Sequence, residues 1–89
     1  MASLLHLIRD PRDARALETA FAHNREGWDR VLVVLLHDAV IAGPHRLLGL
    51  PTRLGAEDCR ARGIIPPEDA VDVRELVELC FAHDRVILW

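Results

Sequence analysis

The sequence predicts an α/β fold: one domain over residues 1–89, with a mostly parallel sheet of about four to five strands flanked by helices. Three observations carry that prediction. Val31 to Leu36 is an unbroken aliphatic run, half of it valine, the pattern of a strand covered on both faces. Strand-like runs alternate with stretches of helical spacing along the chain, which implies crossover connections and parallel pairing. The length, 89 residues, fits one domain, and no repeat, linker or low-complexity segment divides it.

The elements follow in order. Ser3 to Ile8 is aliphatic apart from Ser3 and His6 and stops at Arg9-Asp10-Pro11, so it is read as a short buried strand. Asp10 is placed to cap a helix whose first residue is Pro11, where the missing N–H costs nothing. That helix runs from Pro11 to His23, with Ala14, Leu17 and Phe21 as its buried stripe, and ends over Asn24 to Gly27. The second strand is Val31 to Leu36. A short helical turn is expected over Ala39 to Ala42, broken at Gly43-Pro44, and another over His45 to Gly49. Thr52 to Gly55 reads as the third strand. Glu57 and Asp58 open a short helix that ends at Arg62, with Gly63 as its C-terminal glycine. Ala70-Val71 is a short fourth strand. Asp72 with Glu75 forms a capping box for the last helix, whose inward stripe is read as Val73, Leu76, Val77 and Cys80. Arg85 to Trp89 is the closing strand.

Composition narrows the function classes. Hydrophobic residues make up 51% of the chain, and about 57% with the five glycines counted, against roughly 45–50% in ordinary globular domains. A chain this small hides that much apolar surface poorly, so a partner that covers part of it is expected. The formal charge is -3, and all eleven basic residues are arginine. A mildly acidic domain lacks the basic stripe that direct nucleic-acid binding requires. No apolar run reaches the ~20 residues of a membrane span. Met1 is followed directly by an apolar segment that ends at Arg9-Asp10, so no signal peptide is expected. The two cysteines, Cys59 and Cys80, sit inside helices at no metal-type spacing, which favours a reduced, cytoplasmic protein.

In open α/β sheets, ligands bind beyond the carboxyl ends of the strands. Three places qualify: Arg9-Asp10, His37-Asp38, and Ala56-Glu57-Asp58. His37, Asp38, Glu57 and Asp58 are therefore the candidates for a ligand-binding edge, with Asp38 able to hold the tautomer of His37. The competing role for the pair is a solvated turn in which Asp38 caps the next helix. Cys59 is the candidate nucleophile, because a first-turn thiol feels the helix dipole. The neighbouring carboxylates Glu57 and Asp58 oppose a thiolate, and a small buried packing residue is the alternative. Cys80 falls on the apolar stripe and is read as core. The five histidines show no ligand spacing, so no metal is expected, and no glycine-rich phosphate loop or serine triad is present; no cofactor is implied. Trp28 and Trp89 are packing or interface residues. Trp89, after the closing strand, is expected to need a neighbouring surface to cover it.

Several stretches resemble one family. Leu4-Leu5-His6-Leu7-Ile8 is similar to the opening strand of the TusB/DsrH family. Val31 to Val40 (V-L-V-V-L-L-H-D-A-V) resembles its second strand and the acidic turn after it. Ala56 to Ile64 (A-E-D-C-R-A-R-G-I) is similar to its helix ending in Ala-Arg-Gly. Val71-Asp72, with Leu76, Val77, Leu79, His83 and Trp89, resembles its last segment. These pieces stand in the family's order and cover nearly the whole chain.

The resemblance implies a DsrE/DsrF-like fold and a small cytoplasmic protein. It also implies assembly with two related subunits into a hetero-oligomer that relays persulfide sulfur. One branch of the family serves 2-thiolation of the tRNA wobble uridine, the other dissimilatory sulfur oxidation. The main sulfur-carrying cysteine of such complexes lies on a partner subunit, just after its third strand. Counting back from Arg62-Gly63, this chain has Gly55 there. Some DsrH proteins carry a cysteine in the first helix, and Pro11 to His23 has none. Cys59 stands where relatives usually have an aliphatic residue.

The expected function is therefore a non-catalytic or accessory subunit of a sulfur-relay complex, without catalytic activity of its own. Its partners would be DsrE/DsrF (TusD/TusC)-like proteins in a hetero-oligomer, or copies of itself. Two alternatives remain open on the residues: a sulfur carrier that uses Cys59, and a small-ligand module at the His37-Asp38 edge.

Overall fold

In the computed structural model, which describes residues 2–28, 30–42 and 49–89, the elements are β1 (Ser3–Ile8), α1 (Ala14–Arg25), β2 (Arg30–Leu35), a 3-10 turn over His37–Ile41, β3 (Thr52–Leu54), α2 (Ala56–Ala61), α3 (Val73–Ala82) and β4 (Arg85–Leu88). The four strands form one sheet in the order β3-β2-β1-β4, and every pairing is parallel. The α/β architecture expected from the sequence is what the chain adopts. The fourth strand expected at Ala70-Val71 shrinks to a single bridge between Val71 and Gly55. There Val71 N–H donates to the Leu54 carbonyl and Ala56 N–H to the Val71 carbonyl, each over 2.8 Å. Pro66-Pro67 just upstream leaves no run of free N–H groups to extend it.

Alternation along the strands sorts the core into two layers. Leu4, Ile8, Val31, Val33 and Leu35 point to one face, where Ala16 and Ala20 of α1, Ala39 and Val40 of the 3-10 turn, and Cys59 of α2 cover them. Leu5, Leu7 and Val34 point to the other, where Leu76, Leu79 and Cys80 of α3 cover them. All six residues of β1 are buried, as a strand with neighbours on both sides and helices on both faces requires.

Several helix assignments are corrected. The cap of α1 is Asp13, whose Oδ1 accepts from Ala16 N–H, not Asp10. Asp10 accepts from Arg12 N–H at 2.9 Å, closing a turn two residues on, a geometry that aspartate favours. Pro11 thus sits in that turn, and the helix starts three residues later. Its buried residues are Ala16 and Ala20, with Leu17 and Phe21 beside them, while Ala14 is exposed. In α3 the buried side is Leu76, Leu79 and Cys80; Val73 and Val77 are exposed, and Phe81, at the same four-residue spacing, is 88% exposed. At 3.6 residues per turn that outer stripe is rotated by roughly a quarter turn from the buried one. The expected capping box is half formed: Asp72 accepts from Glu75 N–H over 2.7 Å, but the Glu75 carboxylate pairs with Arg53 at 3.0 Å.

Other expectations stand. Gly63 follows α2 with φ +69°, and the bonds Ile64 N–H to Cys59 carbonyl and Gly63 N–H to Arg60 carbonyl complete a Schellman end. The expected break at Gly43-Pro44 and most of the turn over His45 to Gly49 lie outside the described residues.

Candidate functional site

Strand direction gathers the ligand-edge candidates. In an all-parallel sheet the carboxyl ends of all strands share one edge, and the residues after β1, β2 and β4 meet there. They line an open cleft of about 740 Å³ that includes Arg9, Asp10, His37, Asp38, Ile41 and Trp89.

His37 and Asp38 are placed by the abrupt change from β2 to the 3-10 turn. His37 takes φ +53°, in the left-handed region that non-glycine residues rarely occupy, though histidine does so more often than most. The Leu36 N–H is already bonded to the Ile8 carbonyl and the Ala39 N–H to the Arg9 carbonyl, so both flanks of His37 are pinned to the end of β1. Asp38 does not cap the turn; Leu36 is at the cap position, with no side-chain bond. Instead Asp38 Oδ1 accepts from Arg62 Nε at 2.9 Å, and its Oδ2 lies 3.4 Å from His37 Nδ1. The Arg62 hydrogen bond, helped by the charges of His37, Arg62 and Arg12 against a smaller opposing effect of burial, holds the Asp38 carboxyl below its ordinary value. Arg62 also donates to the Asp58 carbonyl at 3.1 Å and stands 3.8 Å from the Asp58 carboxylate. Three of the four edge candidates (His37, Asp38 and Asp58) are thus tied together through Arg62, which the sequence offered only as a charge near Cys59 and the end of α2. Glu57 is exposed in the first turn of α2 and is not part of the chain of contacts.

Cys59 faces inward. Its side chain is 0% exposed, within the cluster under α1 and the 3-10 turn. Burial first, and the Asp58 charge second, push its thiol above the ordinary value, against weaker opposing effects of Arg60 and Arg62. A thiol held in this way is poorly suited to be a nucleophile. Cys80 is half-buried against the other face of the sheet. At Gly55, a Cβ would come within 2.9 Å of both the Asp58 Oδ2 and a Leu36 methyl.

The structure also contains a polar chain that helical spacing could not reveal. His6, fully buried in β1, accepts at Nδ1 from the Trp89 indole N–H over 3.0 Å. An indole N–H only donates, so the proton of neutral His6 is on Nε2. Nε2 lies 3.1 Å from His23 Nδ1, which therefore accepts, leaving the proton of His23 on its own Nε2. The rings of His6 and His23 stack at 5.2 Å between centroids, and Trp28 lies tilted against His23. Burial, with the His23 charge second, lowers the His6 pKa to about 4. A signal for this chain was available: a histidine in a strand buried on both faces must find polar partners. Trp89, expected to need a neighbouring surface, finds cover within the chain. It packs against the core, and a main-chain oxygen of Trp89 accepts from Arg9 Nε at 2.8 Å.

Among the described residues, no cluster of three or more metal-ligating side chains forms, and no helix is long and apolar enough to cross a membrane. No family model and no curated protein matches the chain.

Proposed function

We propose that this chain is a cytoplasmic, non-catalytic subunit of a sulfur-relay complex, docking onto DsrE/DsrF (TusD/TusC)-like proteins that carry the persulfide. The relay serves tRNA wobble-uridine thiolation or sulfur oxidation. The observation that carries the docking role is the apolar surface on the α3 side of the sheet. Val73, Val77 and Phe81 face outward along α3, and Val86 and Leu88 are exposed on the edge strand β4. By register, Val86 pairs with Leu5 and Leu88 with Leu7, so both point to the face that α3 covers. Exposed apolar residues concentrated on one helix and the adjacent edge strand are the composition of an interface. The sulfur-relay part of the proposal rests on the resemblance of the four stretches to TusB/DsrH proteins. The non-catalytic part is supported by the burial of Cys59. The alternative in which Cys59 carries sulfur fits less well, since a buried thiol with a raised pKa meets no donor.

The test is size-exclusion chromatography of the chain mixed with a DsrE/DsrF-like pair. The expected result is co-elution, abolished in a Val77→Glu, Phe81→Glu variant whose far-ultraviolet circular dichroism matches the wild type. A chain that elutes alone beside such partners overturns the proposal.

A further inference from the structure

The sheet is covered at one edge and open at the other. Beyond β3, Val71 takes up the end of the strand through its bonds to Leu54 and Ala56. β4 is the opposite edge, and among the described residues no strand pairs with its outer side. Trp89 N–H donates to the Leu7 carbonyl, and alternate residues of a parallel strand bond the same neighbour. Arg85, Ile87 and Trp89 therefore turn their main-chain groups toward β1, while Val86 and Leu88 turn theirs outward. An edge of this kind is a template for another strand. β4 carries little to prevent it: no proline, bulge or charge interrupts Val86 to Leu88. The side chains at the two outward positions are apolar and exposed, Val86 at 40% and Leu88 at 61%.

The order of residues in β4 suits a second copy of the same strand. A two-fold axis through Ile87 sets the two strands antiparallel and places Val86 opposite Leu88 of the second copy, and Leu88 opposite its Val86. These are the positions whose main-chain groups point outward, so each exchanges both N–H···O bonds with the residue it meets. On the α3 face the exposed valine and leucine cover one another as cross-strand pairs. On the other face Arg85 comes beside Trp89 of the second copy. Arg85 is exposed and forms no ion pair within the described residues. The Trp89 ring, held by its indole bond to His6, is a surface on which a guanidinium stacks. Sliding the register so that Val86 faces Val86 sets Leu88 against Asp84, an apolar side chain against a carboxylate bonded to Ser3. The self-complementary register is therefore also the selective one.

We propose that the chain, without its partner subunits, forms a two-fold dimer in which β4 pairs antiparallel with β4 of a second copy and the two sheets become one. A closed two-fold contact of one patch with itself is the commonest form of protein dimer. It covers part of the apolar surface that the docking proposal offers to other subunits, so the two assemblies compete for β4. The dimer does not rest on the sulfur-relay reading.

The experiment is analytical ultracentrifugation of the full chain between micromolar and millimolar concentration, with amide hydrogen exchange followed by NMR at both ends of that range. The expected result is a shift from the 10.0 kDa monomer to a dimer. Exchange at Val86 and Leu88 is expected to slow about tenfold or more in the dimer, where their N–H groups gain acceptors. Leu88→Pro removes an outward N–H and no bond to β1. It is expected to raise the dimer dissociation constant about tenfold or more, the effect of ~1.4 kcal/mol, with the circular dichroism unchanged. Val86→Lys places a charge on the edge, a device by which edge strands avoid pairing, and is expected to do the same without a change of backbone. A chain that stays monomeric throughout overturns the proposal. So does a dimer that both β4 variants retain, or one in which the Val86 and Leu88 amides exchange as fast as in the monomer. Co-elution with a DsrE/DsrF-like pair is a separate measurement, and its failure leaves the dimer standing.

Discussion

Trp89 donates its indole N–H to Nδ1 of His6 across 3.0 Å, joining the residue after the edge strand β4 to the middle of the central strand β1. Together with the bonds from Ser3 N–H to Asp84 Oδ2 at 2.8 Å and from Asp84 N–H to Ser3 Oγ at 3.0 Å, it fastens both ends of β4 to β1. β4 carries two exposed apolar side chains and lies at the sheet edge, so these polar ties hold a strand that packing secures on one face only.

The first prediction concerns pH. His6 has a folded pKa of about 4, against 6.5 unfolded. The unfolded chain therefore binds the extra proton first as pH falls. Stability is complete above about pH 6.5 and declines as pH drops toward 4, by at most about 3 kcal/mol at 1.36 kcal/mol per unit. The ties made by Asp84 and Asp38, whose carboxyls are lowered by the Ser3 hydrogen bonds and by Arg62 respectively, are lost only at lower pH. Urea midpoints are expected to hold from pH 7.5 to about 6.5 and to fall from there to pH 4.5, and a His6 ring that titrates near 6.5 by NMR contradicts the account.

Trp89→Phe keeps an aromatic ring and removes the donor. His6 Nδ1 is then a buried acceptor without a partner, which costs about 1–3 kcal/mol. The measurement is chemical denaturation at pH 7.5, where His6 is neutral. An unchanged midpoint means that the indole bond contributes nothing.

On α3 the two stripes behave oppositely. Val77→Glu replaces an exposed residue and is expected to change stability by less than ~0.5 kcal/mol while weakening co-elution with the partner pair. Leu76→Ala removes packing against Leu5, Leu7 and Val34 and is expected to cost about 2 kcal/mol, toward the low end for a leucine because Leu76 is only partly buried. Thermal melts of the two variants separate these outcomes.

Much of the fold was legible in the residues. The aliphatic run at Val31 to Leu36 and the alternation of strand and helix spacing were enough for a parallel sheet, and Gly63 marked the end of α2. The misplaced elements share a cause: local signals with two solutions. Asp10 and Asp13 are both plausible caps, and the choice was made by Asp10 closing a turn onto Arg12. The apolar arc of α3 is wider than its buried arc, so periodicity located the arc and not the part that packs. At the site, strand direction placed His37 and Asp38 correctly at the carboxyl edge. Arg62 and the Trp89–His6–His23 chain join residues far apart in sequence, and no spacing along the chain encodes those contacts.

The most direct test of a partner subunit that carries no sulfur is mass spectrometry of each chain in the complex after incubation with a persulfide donor, with alkylation before and after unfolding. The account predicts that this chain co-purifies with its partners, gains no sulfur, and exposes Cys59 to alkylation only once unfolded. A gain of one sulfur atom on the folded chain, mapped to Cys59, contradicts it and makes this chain a carrier.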